Sequence, residues 1–519
     1  MDAPDPAGRW TRRRFLRAAG ATVVGAAGLA AAAYELGRLG SGGPASSAAS
    51  SPAELALASG SPRAAGATAT VAGQRIHFRS RPDLVPPQIV VNVRSDKVAP
   101  GYIFFTPGNG AGTDGPMIAD GAGDLVWLRP DTGRNATDFR AIEYLGRPAL
   151  VWWEGSVNGG IGVGECVLVD QSYREILRVK GGGGSSVDLH EFAITPRGTA
   201  LFFSDSGVAG RQLAGATPLP WQVLDCALQE VEISTGRLLF EWHTIDHIGL
   251  DETYLAPPTT GNAIYDYVHA NSIDVDGDGN LLVSARNTSA IYKVDRGTGR
   301  IIWRLGGKKS DFRMGPGTAF SWQHDARWRA DGMITIFDDE TAPSQARGII
   351  LRLDEQAMTA SLERSFESRT GLVVQSQGNV QVLPNGNYFI GWGSTPYFSE
   401  YGPDGTLLFD ATFPAARQSY RDFRLPWVGL PADPPALAVE AVPAGGMTVY
   451  ASWNGATEVA SWQVLAGEAA GSLVPIATAA RSGFETAIAT ARRWPLVAVR
   501  ARDATGGILG TSEPVSVEA

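Results

Sequence analysis

From about residue 95 to residue 425 the chain repeats one unit, two β-hairpins in succession, and this repeat narrows the possible folds more than any other feature. First hairpin turns are read near Gly101, Gly146, Gly198, Gly279, Gly332 and Gly386. Second turns are read near Gly123, Tyr173, Gly236, Gly299, Gln356 and Gly405, with spacings of 50, 63, 63, 57 and 49 residues. The second turns share a texture: Asp131-Thr-Gly133, Ser234-Thr-Gly236, Gly297-Thr-Gly299 and Pro403-Asp-Gly405. Apolar strands flank them, as in Leu125-Val-Trp127, Leu238-Leu-Phe240, Ile301-Ile-Trp303 and Leu407-Leu-Phe409. Glycine between β-branched and aromatic runs marks a hairpin because the turn needs positive φ. One hairpin pair cannot bury both of its faces, whereas units stacked in a ring can, with aromatic side chains filling the gaps between them. The expectation is an all-β chain with a six-bladed β-propeller over residues 69–430. Two parallel β-sandwiches are the rival, but they would not need so regular a unit.

Composition agrees with many tight turns: 63 glycines and 14 tryptophans, with only 19% charged residues. A net charge of −9 argues against nucleic acid as a partner, since phosphate binding needs a basic face. Any anionic substrate must then be met by local cations. The two cysteines, Cys166 and Cys226, read as buried thiols more readily than as a disulfide, and two cysteines alone do not suggest a structural zinc site. After Pro426 the texture changes. Pro431-Ala-Asp-Pro-Pro435 reads as a linker, and residues 431–519 as a small fibronectin III- or immunoglobulin-like β-sandwich, with strands expected at Leu437–Val442, Thr448–Trp453, Ser461–Leu465 and Leu496–Ala501. At the other end, Arg12-Arg13-Arg14-Phe15-Leu16-Arg17 followed by the uncharged run Ala18–Tyr34 resembles a twin-arginine export signal over residues 1–40. A membrane anchor is the rival, but the run is short and weakly apolar for a stable span. Residues 41–68, rich in Ser, Ala, Gly and Pro, read as a flexible tether. Export machinery is therefore an expected partner, and the expected location is extracellular or the cell envelope.

Three of the six histidines fall at one phase of the repeat: His190, His269 and His324. Each is followed four positions on by a large apolar residue (Ile194, Ile273, Trp328), then by a glycine-containing turn. Equivalent positions in a radial fold point at a common axis, so three imidazoles would share one site. Imidazole is the side chain whose ordinary pKa suits nucleophilic or acid–base work near neutrality. Arg286 lies one hairpin beyond His269 and can return to the same end, where a guanidinium would hold an oxyanion; a salt bridge between blades is its bland reading. Asn271 could donate beside it. His77, His243 and His247 fall out of phase and read as structural. Three histidines could also bind zinc, but metal sites bring carboxylates behind their ligands and a nearby arginine repels a cation, so no metal is expected. Asp274-Val-Asp276-Gly-Asp278-Gly279 matches half of a calcium loop, but Ala285 stands where the bidentate glutamate belongs, and a plain turn is the better reading. No phosphate-binding glycine loop is present, and no cofactor is expected.

At these residues the chain resembles the arylsulfotransferase family, which moves sulfate between phenols without a nucleotide donor. The likeness covers roughly residues 75–430 and is carried by His190-Glu-Phe with Thr195-Pro-Arg-Gly-Thr-Ala200, Glu241-Trp-His243, His269-Ala-Asn271-Ser272, Ser284-Ala-Arg286-Asn-Thr-Ser289, Trp303-Arg-Leu-Gly-Gly-Lys308, Ser321-Trp-Gln-His324-Asp-Ala-Arg327 and Gln377-Gly-Asn379-Val380. Ser452-Trp-Asn-Gly-Ala-Thr-Glu458 is similar to a tail of actinobacterial and fungal members. The resemblance implies phenols and aryl sulfates as substrates. It implies that His324 takes the sulfuryl group covalently, that His269 and Arg286 bind sulfuryl oxygens, and that His190 donates a proton to the leaving phenol. Asn271, Trp322 and Asn379 would contact substrate, with Trp322 and Tyr397 as aromatic lining. Periplasmic members pair through an N-terminal sandwich that this chain lacks, so its oligomeric state stays open. The other readings are a non-catalytic binding or scaffold propeller and a metal-dependent hydrolase or lyase on the same histidines.

Overall fold

The computed structural model describes residues 70–517 apart from 73–74, 109–113, 130–132, 210–220, 260–262, 342–344, 415–416 and 444. The expected export signal and tether, and the Asp131-Thr132 turn, lie outside these residues. Among the described residues no helix is long and apolar enough to cross a membrane.

The chain is all-β. Five sheets are built on four sequential antiparallel strands each, a sixth is completed by a strand from the far end of the repeat, and two more sheets follow toward the C-terminus. Sheet two holds Asn135–Tyr144, Arg147–Asn158, Ile161–Val169 and Glu175–Val179. Sheet three holds Phe192–Ile194, Thr199–Ala209, Gln222–Glu232 and Arg237–His243. Sheet four holds Ala270–Val275, Leu281–Ala285, Ala290–Val294 and Ile301–Gly306. Sheet five holds His324–Trp328, Met333–Thr341, Gln345–Asp354 and Thr359–Glu367. Sheet six holds Asn379–Val382, Tyr388–Gly391, Tyr397–Tyr401 and Leu407–Thr412. The turns within these sheets fall at the glycines read from sequence, Gly146, Gly198, Gly236, Gly279, Gly299, Gly332, Gly386 and Gly405, all at positive φ.

Sheet one departs from the simple repeat. No hairpin turns at Gly101. The strand before it, Val90–Arg94, runs instead along the outer edge of sheet six and pairs with Leu407–Thr412. Sheet one takes its innermost strand from the far end of the repeat: Phe423–Leu425 pairs with Tyr102–Phe105, followed by Met117–Ala119 and Leu125–Leu128. Gly101, at φ 126°, is needed because a Cβ there would sit 3.0 Å from the Leu425 carbonyl oxygen. The two ends of the repeat are thus sewn together by main-chain hydrogen bonds.

Six apolar clusters lie between the sheets, each shared by two neighbours. Phe104, Trp127, Phe139 and Trp152 join sheets one and two. Trp153, Cys166, Phe192 and Phe202 join two and three. Phe203, Val223, Ile273 and Val283 join three and four. Leu282, Trp303, Ile334 and Ile349 join four and five, Phe337, Ile350, Ile390 and Trp392 join five and six, and Phe105, Met117, Phe389 and Phe409 join six back to one. The sheets are therefore linked in a closed cycle by burial of large side chains, worth about 1.5–3 kcal/mol each. Cys166 and Cys226 are buried free thiols.

The C-terminal residues form a three-stranded sheet (Ala436–Ala441, Met447–Ser452, Glu485–Thr490) and a larger one in the order Val474–Ala480, Ser461–Gly467, Leu496–Arg502, Ile508–Thr511. Val449, Trp462, Val464 and Val499 fill the space between them. This unit covers the outer strand of sheet one. Asn454 bonds both main-chain groups of Leu128 at 3.0 Å, and Gly455 N–H donates to Val126 O at 2.8 Å. Glu485 accepts from the Ser80 main chain and hydroxyl, which fastens the N-terminal segment as well.

Candidate active site

The innermost strands of sheets three to six all start at the same end of the cycle, so residues at their starts share one space. His190 and His269 immediately precede such strands or stand one residue further back, and His324 opens one. The structure brings the three together. The His190 and His269 rings lie 4.7 Å apart edge to face, and Tyr420 stands between the others, 5.6 Å from His190 and 6.5 Å from His324.

Each histidine turns Nδ1 to a carboxylate: His190 to Asp188 at 2.5 Å, His269 to Asp266 at 2.5 Å, His324 to Asp339 at 2.7 Å. An Nδ1–H donated to a carboxylate leaves Nε2 with its lone pair, so the partner fixes the tautomer. His324 is buried, and its Nε2 accepts from the Gln377 main-chain N–H at 3.2 Å. Burial, then the positive charge of Arg286 and the neighbouring histidines, holds the His324 imidazole well below its ordinary pKa and keeps it neutral. Burial also lowers His190, outweighing the pull of Asp188. Burial works against charge on Asp188, but His190 and the N–H donors of Gly162 and His190 prevail and lower it.

Arg286 returns to the site as its hairpin spacing suggested: its main-chain N–H donates to the His269 carbonyl at 3.0 Å. Its guanidinium lies 4.8 Å over the Trp322 ring, and it donates to Asn287 Oδ1 at 3.1 Å and to the Gln375 carbonyl at 2.9 Å. Its Nε is buried with no hydrogen-bond partner among the described residues. Trp322 therefore serves first as a platform for the cation. Asn271 donates to the Gln323 carbonyl at 2.7 Å, next to His324, and its Oδ1 is buried without a hydrogen-bond partner among the described residues. Asn379 is bonded at both ends of its amide: it donates to Asp422 O at 2.8 Å and accepts from Asp422 N–H at 2.9 Å. It ties sheet six to sheet one and is itself fully buried, which marks it as a brace between the sheets.

Below the histidines lies an ionic plug that the sequence did not announce. Arg421 is fully buried; it donates to Asp138 at 3.1 Å, Glu191 at 3.3 Å and the Asn271 carbonyl at 2.9 Å, and its Nε forms an ion pair with Asp325 at 3.1 Å. Arg327 shares Glu191 and Asp325, and Arg140 pairs with Asp138. Glu191 and Asp325 each directly follow a site histidine, so successive residues of an inner strand serve the site and the plug in turn. Six non-glycine residues here hold positive φ: Asp138 (55°), His269 (52°), Ser289 (48°), Trp322 (56°), Asp325 (54°) and Gln377 (74°). Each such residue costs about 1–3 kcal/mol, which the surrounding packing must supply.

Two further sequence readings can be placed. In the Asp274–Gly279 stretch, Asp276 accepts the N–H groups of Asp278 and Asn280 and pairs with Lys293 at 3.1 Å, so an ammonium stands where a loop cation would. Contrary to the sequence expectation, each of the three histidines has a carboxylate behind it. Among the described residues, however, no group of three or more His, Cys, Asp and Glu is placed to hold a metal ion. His243 lies on the outer strand of sheet three between Asp225 at 2.6 Å and Glu241 at 3.2 Å, which push its pKa up to about 9, and His247 stacks on Trp242. A groove of about 780 Å³ opens between sheets three and four, lined by Arg197, Asp274 and Arg296, but it lies at the turn end, away from the histidines.

The sequence profile of the arylsulfotransferase (ASST) family matches residues 143–414, the stretch that supplies the three histidines, Arg286 and Gln377. The chain belongs to the arylsulfotransferase family. That membership supports aryl sulfotransferase activity in general and implies small aryl substrates. No curated protein matches the chain. Among solved structures, it is similar to a protein of unknown function from Bacteroides caccae (13% identity, TM-score 0.39, 62% of this chain and 98% of that one). It is also similar to a catalytically inactive virginiamycin B lyase from Staphylococcus aureus solved with quinupristin (9% identity, TM-score 0.33, 71% of this chain and 96% of that one). A streptogramin B lyase structure is comparable (11% identity, TM-score 0.33, 70% of this chain and 94% of that one).

Proposed function

We propose that this arylsulfotransferase moves a sulfuryl group from a phenolic sulfate ester to a phenol through a covalent intermediate on His324 Nε2. The observation that carries the reading is the setting of that ring: buried, anchored through Nδ1 to Asp339, its Nε2 accepting from the Gln377 N–H, and held neutral by burial and by the neighbouring Arg286, His190 and His269.

In the first half-reaction the Nε2 lone pair forms a bond to sulfur, and the S–O bond to the donor phenol breaks with its electron pair leaving on the phenolate oxygen. The ring then carries positive charge, which Asp339 balances through Nδ1–H. In the second half-reaction an acceptor phenol oxygen bonds sulfur, and the N–S pair returns to Nε2. Splitting the transfer in this way replaces one hard step by two easier ones. Arg286 and His269 stabilise the sulfuryl oxygens as charge builds on them. His190 is the proton-handling group. Held neutral, with Nδ1 on Asp188, it suits taking the proton of the incoming phenol better than donating one to the leaving group. Donors whose phenols are acidic enough to leave as phenolates are therefore favoured.

The wider reading is a six-bladed β-propeller over residues 69–430, supported by the closed cycle of six clusters, with a fibronectin III-like sandwich over 431–519 supported by its three- and five-stranded sheets. Residues 1–40 are proposed as a twin-arginine export signal and 41–68 as a tether, which places the protein outside the cytoplasm and makes the export machinery a partner. The test is sulfuryl transfer from a chromogenic aryl sulfate to a second phenol. His324→Ala is expected to abolish it while leaving the thermal transition in place. Full activity in that variant would end the reading.

A further inference from the structure

The segment Gln375–Gly378 touches the site twice. The Gln377 main-chain N–H donates to His324 Nε2 at 3.2 Å, and the Gln375 carbonyl accepts from Arg286 at 2.9 Å. Its shape is imposed from outside. Gln377 holds φ 74°, a conformation an L side chain rarely adopts. Gly378 N–H donates to the Tyr420 carbonyl at 3.0 Å, Ser394 N–H to the Ser376 carbonyl at 3.0 Å, and Gln375 N–H to Ser394 Oγ at 3.0 Å. A Cβ on Gly378 would come within 2.5 Å of the Phe337 ring, and one on Gly393 within 2.6 Å of Ser376 O and the Gln377 carbonyl carbon. The peptide above Nε2 is thus wedged between two glycines that admit nothing larger.

A donor on the lone pair of a nucleophile opposes attack, since attack needs that pair. The opposition disappears if the donor has somewhere better to go. We propose that the Gln377 main-chain N–H is a catalytic donor that holds the Nε2 lone pair at rest and passes to an oxygen of the sulfuryl group as that group arrives. The inference rests on the reading of His324 as the sulfuryl carrier. When the Nε2 pair becomes the N–S bond it can no longer accept, and the S–O pair departs with the phenolate. The sulfuryl oxygens then stand beside the same N–H and carry negative charge, which makes them stronger acceptors than a neutral ring nitrogen. Arg286 Nε, buried and without a hydrogen-bond partner among the described residues, supplies a second donor held by the same segment. On return, the acceptor oxygen takes sulfur, its proton goes to His190, the N–S pair goes back to Nε2, and the N–H returns to it. An interaction that strengthens as charge develops lowers the barrier without tightening substrate binding. The same N–H disfavours protonation of Nε2 at rest, because a protonated Nε2 would face it donor to donor.

The test replaces the Gln377 N–H by an ester oxygen, by incorporating the α-hydroxy analogue of glutamine at position 377 of the full chain. Phenol release in the first turnover is followed against pH with a chromogenic aryl sulfate. The burst rate constant is expected to fall about 10²-fold, the effect of losing one such donor. The acidic limb of its pH profile should rise by about one unit, the worth of one net hydrogen bond on Nε2. A residue that only shapes the loop would lower the rate without moving the limb. A burst within twofold of the unmodified protein, or an unmoved limb, overturns the inference. Should the ester chain fail to fold, glutamine-selective ¹⁵N labelling of the unmodified protein decides: the Gln377 amide resonance must shift when donor alone is added, and an unchanged resonance on loaded protein overturns it. Intact mass after donor alone separates the two failures. No gain of an SO3 unit removes the covalent reading and this inference with it, whereas a gain with an unaffected ester variant removes only this inference.

Discussion

Asp339→Asn tests the proposed chemistry at the atom that orients the nucleophile. Asp339 is buried and accepts from His324 Nδ1 at 2.7 Å, so the carboxylate fixes the tautomer that leaves the lone pair on Nε2. An asparagine of the same shape can instead donate to Nδ1, which moves the ring proton to Nε2. Two losses follow. A hydrogen bond to a charged partner contributes about 1.5–3 kcal/mol, and it is needed most when the ring becomes cationic in the intermediate. The Gln377 N–H, 3.2 Å from Nε2, would then face another donor, an unsatisfied contact worth about 1–3 kcal/mol. Together these raise the barrier by about 3–6 kcal/mol, or roughly 10²- to 10⁴-fold in rate. The assay is the first-turnover release of a chromogenic phenol, with the denaturant midpoint measured in parallel to show that the fold survives. A burst rate within threefold of wild type in a folded Asp339→Asn protein would refute the orientation argument.

The neutral state of His324 places the acidic limb of the burst rate below pH 6.5, the ordinary imidazole value, and a limb at or above 6.5 would contradict the burial argument. Arg421→Met should cost about 3–5 kcal/mol of stability, because it leaves three carboxylates around a buried position short of a cation. A loss below about 1 kcal/mol, read from the denaturant midpoint, would show that the plug does not hold the inner strands. His243 is raised to about 9 by Asp225 and Glu241, so its contribution is fully present below about pH 6.5 and fades as pH rises through 9. The stability lost over that window is about 3 kcal/mol at most, and His243→Gln should flatten it; an unchanged pH slope in the variant would refute the assignment.

The repeat was legible because a hairpin turn is written in few residues: glycine at positive φ between apolar strands. Sheet one was misread at Gly101 for the converse reason. Ring closure pairs residues more than 300 positions apart, Phe423 with Phe104, and no local pattern records that. The three histidines were visible through their common phase, and Arg286 through its hairpin distance. Asp188 and Asp266 were available as Asp-x-His and Asp-x-x-His pairs, yet nothing marks such a pair as bonded until the strand register is known. Asp339 needed that register outright, since it lies on the strand Met333–Thr341, which pairs with the strand that His324 opens. Tyr420 and Arg421 follow the last turn of the repeat and carry no motif. Asn379 was noticed as part of a recurring stretch, but stretches recur for bracing as readily as for binding, and its bonds to Asp422 serve the former.

The most direct measurement is peptide mapping by mass spectrometry of the intact-chain protein quenched after mixing with an aryl sulfate and no acceptor. One SO3 unit on the peptide containing His324, discharged when a phenol is added, is the predicted result. A chain that releases phenol yet carries no such group, or carries it on a different residue, would contradict the account.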